Sequence, residues 1–130
     1  MANEEFISQA RELLHANLQV FSERDPDKRW AAIERTYAED VEFVDPDGEF
    51  KGRQALNNQA QKILDGAPAD AVLEDDGPRY VDTDTAVQAW RFGPPGSPVA
   101  RGVDIVKIRD GRVIAVRTLL VPETDSPDAV

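Results

Sequence analysis

Val41-Glu42-Phe43-Val44-Asp45-Pro46-Asp47-Gly48 is the stretch on which the reading of this chain turns. Side chains in a strand alternate faces with period two. Val41, Phe43 and Asp45 therefore share one face, and Glu42 and Val44 the other. Asp at the first position of a turn, Pro at the second and Gly at the fourth is the composition of a type I turn. The stretch thus predicts a strand over 41–45 that ends in a tight turn. A carboxylate in line with two apolar side chains belongs either to the rim of a core or to a pocket.

Upstream the pattern is helical. Asn3 followed by Glu4 and Glu5 is a capping side chain with acids near the positive end of the helix dipole. Phe6, Ala10, Leu13, Leu14, Asn17 and Phe21 then form one stripe, with Asn17 its polar member. His15 falls on another face with Arg11 and Gln19 and reads as solvated surface. Asp25-Pro26 signals a second helix. On it Trp30, Ile33 and Tyr37 recur at inward spacing. Downstream, Phe50 and Gly52 lead into a third helix over 53–65, with Leu56, Ala60, Ile63 and Leu64 apolar and Gly66 placed to end it.

From Ala71 the period changes to two. The alternation predicts strands over 71–75, 79–82, 85–92, 100–109 and 112–121. Glu74-Asp75-Asp76 reads as a solvated turn, and Asp110-Gly111 as a two-residue hairpin. Gly93-Pro94-Pro95-Gly96-Ser97-Pro98 reads as a loop. Helices first and strands after is the pattern of an α+β domain, with the helices on one face of a curved antiparallel sheet and a concave apolar interior. One domain over 1–121 and a flexible tail over 122–130 are expected.

The 130 residues suit one domain that needs no staples. There are no cysteines, which removes disulfides and thiolate metal sites and suits a cytoplasmic, reducing location. A single histidine argues against a histidine-built metal site. No metal and no cofactor is expected. The start is acidic and polar, unlike a signal peptide, and no apolar run approaches membrane-spanning length. With 25 acidic and 15 basic residues the net charge is −10, which argues against nucleic acid or an anionic membrane as partner.

A second stretch, Arg101-Gly102-Val103-Asp104-Ile105-Val106-Lys107-Ile108, puts Asp104 on one face with Val106 and Ile108. Strands disfavour Asp, and burying its charge is costly. Asp45 and Asp104 are therefore the main anomalies of the sequence, with Asn17 and Tyr37 the lesser ones. Each has a structural explanation. Asp45 can cap its turn near Asp47. Asp104 can pair with Arg91 or Arg117. Tyr37 can be core with its hydroxyl satisfied, and Asn17 can bond to buried backbone. Trp30 and Trp90 read as packing or pocket wall. If these explanations fail together, a base at the mouth of an apolar cavity and a drier, protonated carboxyl group suit proton abstraction next to a carbonyl.

Tyr37-Ala38-Glu39-Asp40-Val41-Glu42-Phe43-Val44-Asp45-Pro46-Asp47-Gly48, with Lys51-Gly52-Arg53, resembles the ketosteroid isomerase and SnoaL-like branch of the nuclear transport factor 2-like superfamily. Gly102-Val103-Asp104-Ile105-Val106 and Asp110-Gly111-Arg112-Val113-Ile114 resemble its last hairpin. The resemblance implies a cone-shaped α+β fold in which a curved, mixed but largely antiparallel sheet and three N-terminal helices enclose a deep apolar pocket. It also implies a homodimer built on the sheet. It sets Asp45 at the general base, Asp104 at the protonated aspartate of the oxyanion hole, and Tyr37 at a tyrosine behind that hole. Asn17 stands where the family keeps its oxyanion tyrosine, and Ala60 where it keeps a further supporting one. An amide is a much weaker acid than a phenol, so the steroid isomerase set is incomplete.

Three functions are open to such a chain. The first is acid–base isomerisation, cyclisation or dehydration of a small apolar carbonyl compound, with Asp45 taking the proton and Asp104 and Asn17 holding the oxygen. The second is binding without chemistry, as an apolar-ligand or dimeric interaction module. In either case Trp30, Phe43, Ala60 and Trp90, with Tyr37, are the expected pocket residues. The third is epoxide hydrolysis by an Asp-Arg-Asp group, which needs Arg91 or Arg117 in the cavity with Asp104.

Overall fold

The computed structural model describes residues 3–122. The element order is α1 (Glu4–Val20), α2 (Pro26–Thr36), β1 (Tyr37–Asp45), β2 (Gly48–Lys51), α3 (Arg53–Asp65), β3 (Val72–Val81), β4 (Thr85–Gly93), β5 (Ala100–Arg109) and β6 (Arg112–Leu120). The six strands form one mixed sheet in the order β2-β1-β6-β5-β4-β3. Only the β1–β6 pair is parallel; the others are antiparallel. Three helices against a curved six-stranded sheet make the α+β cone expected from the sequence. The expected tail lies, beyond Pro122, outside the described residues. Among the described residues no helix is long and apolar enough to cross a membrane.

The local signals act as their chemistry demands. The Asn3 side chain accepts the Phe6 N–H at 2.8 Å and starts α1. Asp25 accepts from the Asp27 and Lys28 N–H groups, with Pro26 opening α2. Gly66 follows α3 as its C-cap. Asp110 and Gly111 both adopt positive φ, at 51° and 77°, as a two-residue hairpin that follows the right-handed strand twist requires.

Three strands differ from the sequence reading. Tyr37 is not the last residue of the helix stripe but the first of β1, which starts four residues before Val41. Its side chain still faces inward, fully buried. The register of β1 against β6 is irregular between Tyr37 and Glu42, and so this half of the strand hides its alternation. Gly48–Lys51 forms a short strand of its own, pairing Phe43 with Phe50 across the turn. The segments 71–75 and 79–82 are one strand, β3, with an irregularity between Asp75 and Arg79 where Gly77 has φ 144°. Glu74-Asp75-Asp76 therefore lies in a strand rather than a turn. A Gly-Pro pair ends most strands, but β3 is a sheet edge, where a missing proline N–H leaves no ladder partner unmet.

The core lies between the helices and the inner face of the sheet. Leu14, Ile33, Leu56, Val41, Val106, Val113 and Val116 are almost wholly withdrawn from solvent there. Arg29 is also buried, at the meeting of α2 and α3. It donates to Asn57 Oδ1, the Glu23 carbonyl and Gln61 Oε1. These neutral acceptors tie three segments behind the cavity wall.

Candidate functional site

The concave side of the sheet leaves an open-mouthed cavity of about 220 Å³. Its wall is apolar: Phe21 from the end of α1, Phe43 from β1, Ile63 from α3, Leu73 from β3, and Trp90 and Phe92 from β4 are its larger members. The Phe21 and Phe43 rings stack with centroids 5.3 Å apart. Into this wall are set Asp45 and Asp47 from the β1–β2 turn, and Asp104 and Thr118 from β5 and β6. The two carboxylates singled out by the sequence thus face one cavity.

Asp104 is held there by strand alternation. Gly102, Asp104, Val106 and Ile108 all point inward along β5. Thr118 stands opposite Asp104 in the antiparallel register, because β6 brings Val116, Thr118 and Leu120 to the same side. Asp104 is 3% exposed. Its Oδ2 accepts a bond from Asn17 Nδ2 at 2.6 Å. Its Oδ1 accepts from Trp90 Nε1 at 3.0 Å and from Thr118 Oγ1 at 2.7 Å. The Trp90 ring lies across Gly102, where a Cβ atom would stand 2.7 Å from it, so the missing side chain lets the indole N–H reach Asp104. All three donors are neutral. Burial pushes the Asp104 carboxyl above the ordinary aspartate range. The bonds from Thr118, Asn17 and Trp90 oppose that shift, and the charge of Asp45 adds to it.

Behind Asp104 the chain of bonds continues. Tyr37 donates its hydroxyl proton to Asn17 Oδ1. Both residues are fully buried, and neither lines the cavity. Burial, with the nearby Asp104, raises the Tyr37 phenol well above its usual range. The direction of the chain fixes the Asn17 amide: its oxygen is taken by Tyr37 and its nitrogen is turned to Asp104. Asn17 therefore supports Asp104 from behind rather than offering its N–H groups to a ligand.

Asp45 sits differently. It is half-exposed at the end of β1. Its Oδ1 accepts the Asp47 N–H at 2.8 Å, the capping bond expected of an Asp at a turn. Its Oδ2 accepts from Gln59 Nε2 at 2.8 Å, and the same nitrogen reaches Asp47 Oδ2 at 2.8 Å. Gln59 comes from α3 and is 2% exposed. Lys62, one helical turn on, lies 3.8 Å from Asp47 at the surface.

Several sequence expectations take their place against this geometry. Phe43 and Trp90 line the cavity; Trp30 and Ala60 do not. Ala60 is consumed in the core beneath α3, and Trp30 packs against the outside of that core. The pairing of Asp104 with Arg91 or Arg117 is not made. Arg91 and Arg117 project from the opposite parity of β4 and β6, so the pleat carries both away from the cavity. Arg91 pairs instead with Glu74 and Asp76. With no arginine in the cavity wall, the Asp-Arg-Asp group of an epoxide hydrolase is not assembled. His15 is on the exposed face of α1 as read. Among the described residues no group of three or more His, Asp or Glu side chains is placed to hold a metal ion.

Two site residues were not foreseen. Gln59 interrupts the apolar stripe Leu56, Ala60, Ile63 of α3, the same signal that drew attention to Asn17. Thr118 is two residues beyond Val116 on the inward parity of β6, and only the register with Asp104 gives it meaning.

Comparison with known proteins agrees with this fold. The family model of the SnoaL-like domain matches residues 14–116. No curated protein matches the sequence. Among solved structures, a candidate isomerase of the SnoaL-like family from Agrobacterium tumefaciens superposes with TM-score 0.81 at 23% identity, covering 88% of this chain and 98% of its own. A candidate ketosteroid isomerase from Kribbella flavida gives 0.70 at 20% identity, covering 92% and 83%. A candidate polyketide cyclase from Sinorhizobium meliloti gives 0.67 at 24% identity, covering 83% and 94%. At these identities the likeness is one of fold.

Proposed function

This chain belongs to the SnoaL-like domain family, and on that premise we propose that it moves a proton next to a carbonyl group in a small apolar molecule. The observation that carries this reading is the pair of carboxylates, Asp45 and Asp104, set into one apolar cavity with no arginine beside either. Asp45 is the general base. It stands at the mouth, where two of its roughly four lone-pair sites are occupied and the rest are free to meet a C–H bond. Asp104 is the acid that holds the carbonyl oxygen. Its neutral form has one proton to give. That proton belongs on the free site of Oδ2, which accepts only from Asn17, because Trp90 and Thr118 already fill both sites of Oδ1. The C–H bond breaks, its proton goes to Asp45, and the electron pair moves onto the oxygen, where the Asp104 O–H stabilises the enolate. The proton then returns from Asp45 to the same or a neighbouring carbon.

The cavity sets the size of the substrate. At about 220 Å³ it is below the roughly 300–1,000 Å³ of sites for drug-sized ligands. A compact, predominantly apolar ketone or enone fits this description. The test is exchange of α-protons for deuterium, followed by NMR on a panel of small cyclic ketones. The wild-type protein is expected to catalyse exchange, and Asp45→Asn to lose it with the fold intact. Equal exchange by both proteins would remove Asp45 from the chemistry. Absence of exchange, with retention of the same ketones in the cavity, would favour the alternative of a binding module, in which the bonds from Gln59 and Asp47 hold Asp45 only as part of the wall.

We also propose that two copies pair through the outer face of the sheet. Val44, Val87, Val103 and Ile105 are half-buried there, on the side away from the helices. Light scattering at micromolar concentration is expected to give twice the 14.4 kDa chain mass, and the Ile105→Asp protein to give the single mass.

A further inference from the structure

The Gln59 amide is placed to do more than fill space. Its nitrogen has two protons. One goes to Asp45 Oδ2 and the other to Asp47 Oδ2, both at 2.8 Å. Two carboxylates with no bond to each other are thereby held to one nitrogen. The Asp47 backbone N–H closes the ring by donating to Asp45 Oδ1. The group is anchored because Gln59 is 2% exposed and rises from the buried side of α3. Lys62 reaches Asp47 by a long, solvent-exposed contact, and the buried Asp104 faces Asp45 across the cavity.

Two opposing effects follow from elementary electrostatics. A hydrogen bond to a carboxylate favours its ionised form, and Gln59 supplies one to Asp45. A like charge nearby disfavours ionisation, and Asp47 brings one to the same amide. The same amide fixes the orientation of the Asp45 carboxyl plane relative to the cavity, and an apolar residue at position 59 would leave that plane free to rotate.

We propose that Gln59 is the positioning residue of Asp45, and that Gln59 and Asp47 together set its strength as a base. The assignment rests on the reading of Asp45 as the proton acceptor, but its electrostatic part holds whether or not the protein is catalytic. Gln59 touches no reacting atom; it acts through Asp45.

The experiment follows the side-chain carboxyl carbon signals by NMR while pH is varied, in the wild-type protein, Gln59→Met and Asp47→Asn. Gln59→Met is close in volume and has no N–H to give. The midpoint of the Asp45 signal is expected to rise by about one pH unit in Gln59→Met and to fall by a similar amount in Asp47→Asn. Opposite directions are the signature, because a general loosening of the turn would move both the same way. If α-proton exchange is present, its acid limb moves by the same amounts, and Gln59→Met loses rate on its plateau through misorientation. Absence of exchange with the two midpoints moving apart retains the electrostatic assignment and removes only the catalytic reading. Unmoved midpoints, or midpoints moving together, overturn the proposal. Should Gln59→Met fail to fold, Gln59→Glu replaces the donor by a third carboxylate, and the Asp45 midpoint must then rise further still.

Discussion

The two ends of the cavity use the same side chain in opposite settings. Asp45 stands on a turn, half-exposed, and is held by a backbone N–H and an amide. Asp104 stands in mid-strand, 3% exposed, and is held by three neutral donors with a tyrosine behind them. The first is open to solvent and to the cavity mouth. The second is shielded and pushed towards its neutral form by burial. On the function proposed above, one fold draws two roles from one residue type by varying depth and hydrogen-bond partners.

Activity is where the contrast has its largest expected effect. Asp45→Asn removes the acceptor itself and is expected to lower α-proton exchange by roughly 10²–10⁴-fold, the range for a lost general base. Asp104→Asn keeps an uncharged group that can still donate, and the loss is expected to be smaller. A larger loss at Asp104 would reverse the assignment of base and acid.

Stability comes next. Tyr37→Phe leaves the Asn17 carbonyl buried without its donor, at a cost of about 1–3 kcal/mol in chemical denaturation. It also changes the alkaline behaviour. The folded state holds the Tyr37 proton more tightly than the unfolded chain does, because the phenol is raised by burial. That contribution is present below the unfolded value, near 10, and is lost as pH rises through the folded one. The phenylalanine protein is expected to lose less stability above pH 10 than the wild type. An equal alkaline loss in both would mean that the phenol is not shielded.

The slope with acid pH is the smallest effect. Asp104 is raised, so its folded form binds a proton more tightly than the unfolded chain. Its contribution is full below about pH 4 and is lost as pH rises through the folded value. Wild-type stability minus that of Asp104→Asn is expected to fall by at most about 1.4 kcal/mol per pH unit over that window. An ion-paired Asp104 would give the reverse slope, rising with pH, and would restore the arginine partner that the geometry denies.

Much of this molecule is legible in order of sequence. Asn3, Asp25-Pro26 and Gly66 mark helix ends because capping is a contact of a few residues. Asp110-Gly111 marks the hairpin because positive φ is a property of those residues alone. Asp45 and Asp104 stood out because a charge among apolar strand residues breaks the alternation. The start of β1 at Tyr37 did not show, because an irregular register hides the period. Nor did the unity of β3, because Gly77-Pro78 looks like a turn unless the strand is known to be an edge. Trp30, expected at the cavity from its inward spacing, and Ala60, from likeness of position, lie elsewhere, since which side of an inward residue meets a void depends on its neighbours.

The sequence by itself determined the three helices, the last three strands, the α+β order and the two anomalous carboxylates, because each is written in contacts between residues a few positions apart. The tertiary structure alone decided what those carboxylates touch. Asn17 reaches Asp104 across 87 positions, Gln59 reaches Asp45 across 14, and Arg91 and Arg117 are turned away by the pleat. Such bonds depend on register and on which faces the packing of helices against the sheet brings together. A change of one residue in register would send every side chain of a strand to the other face.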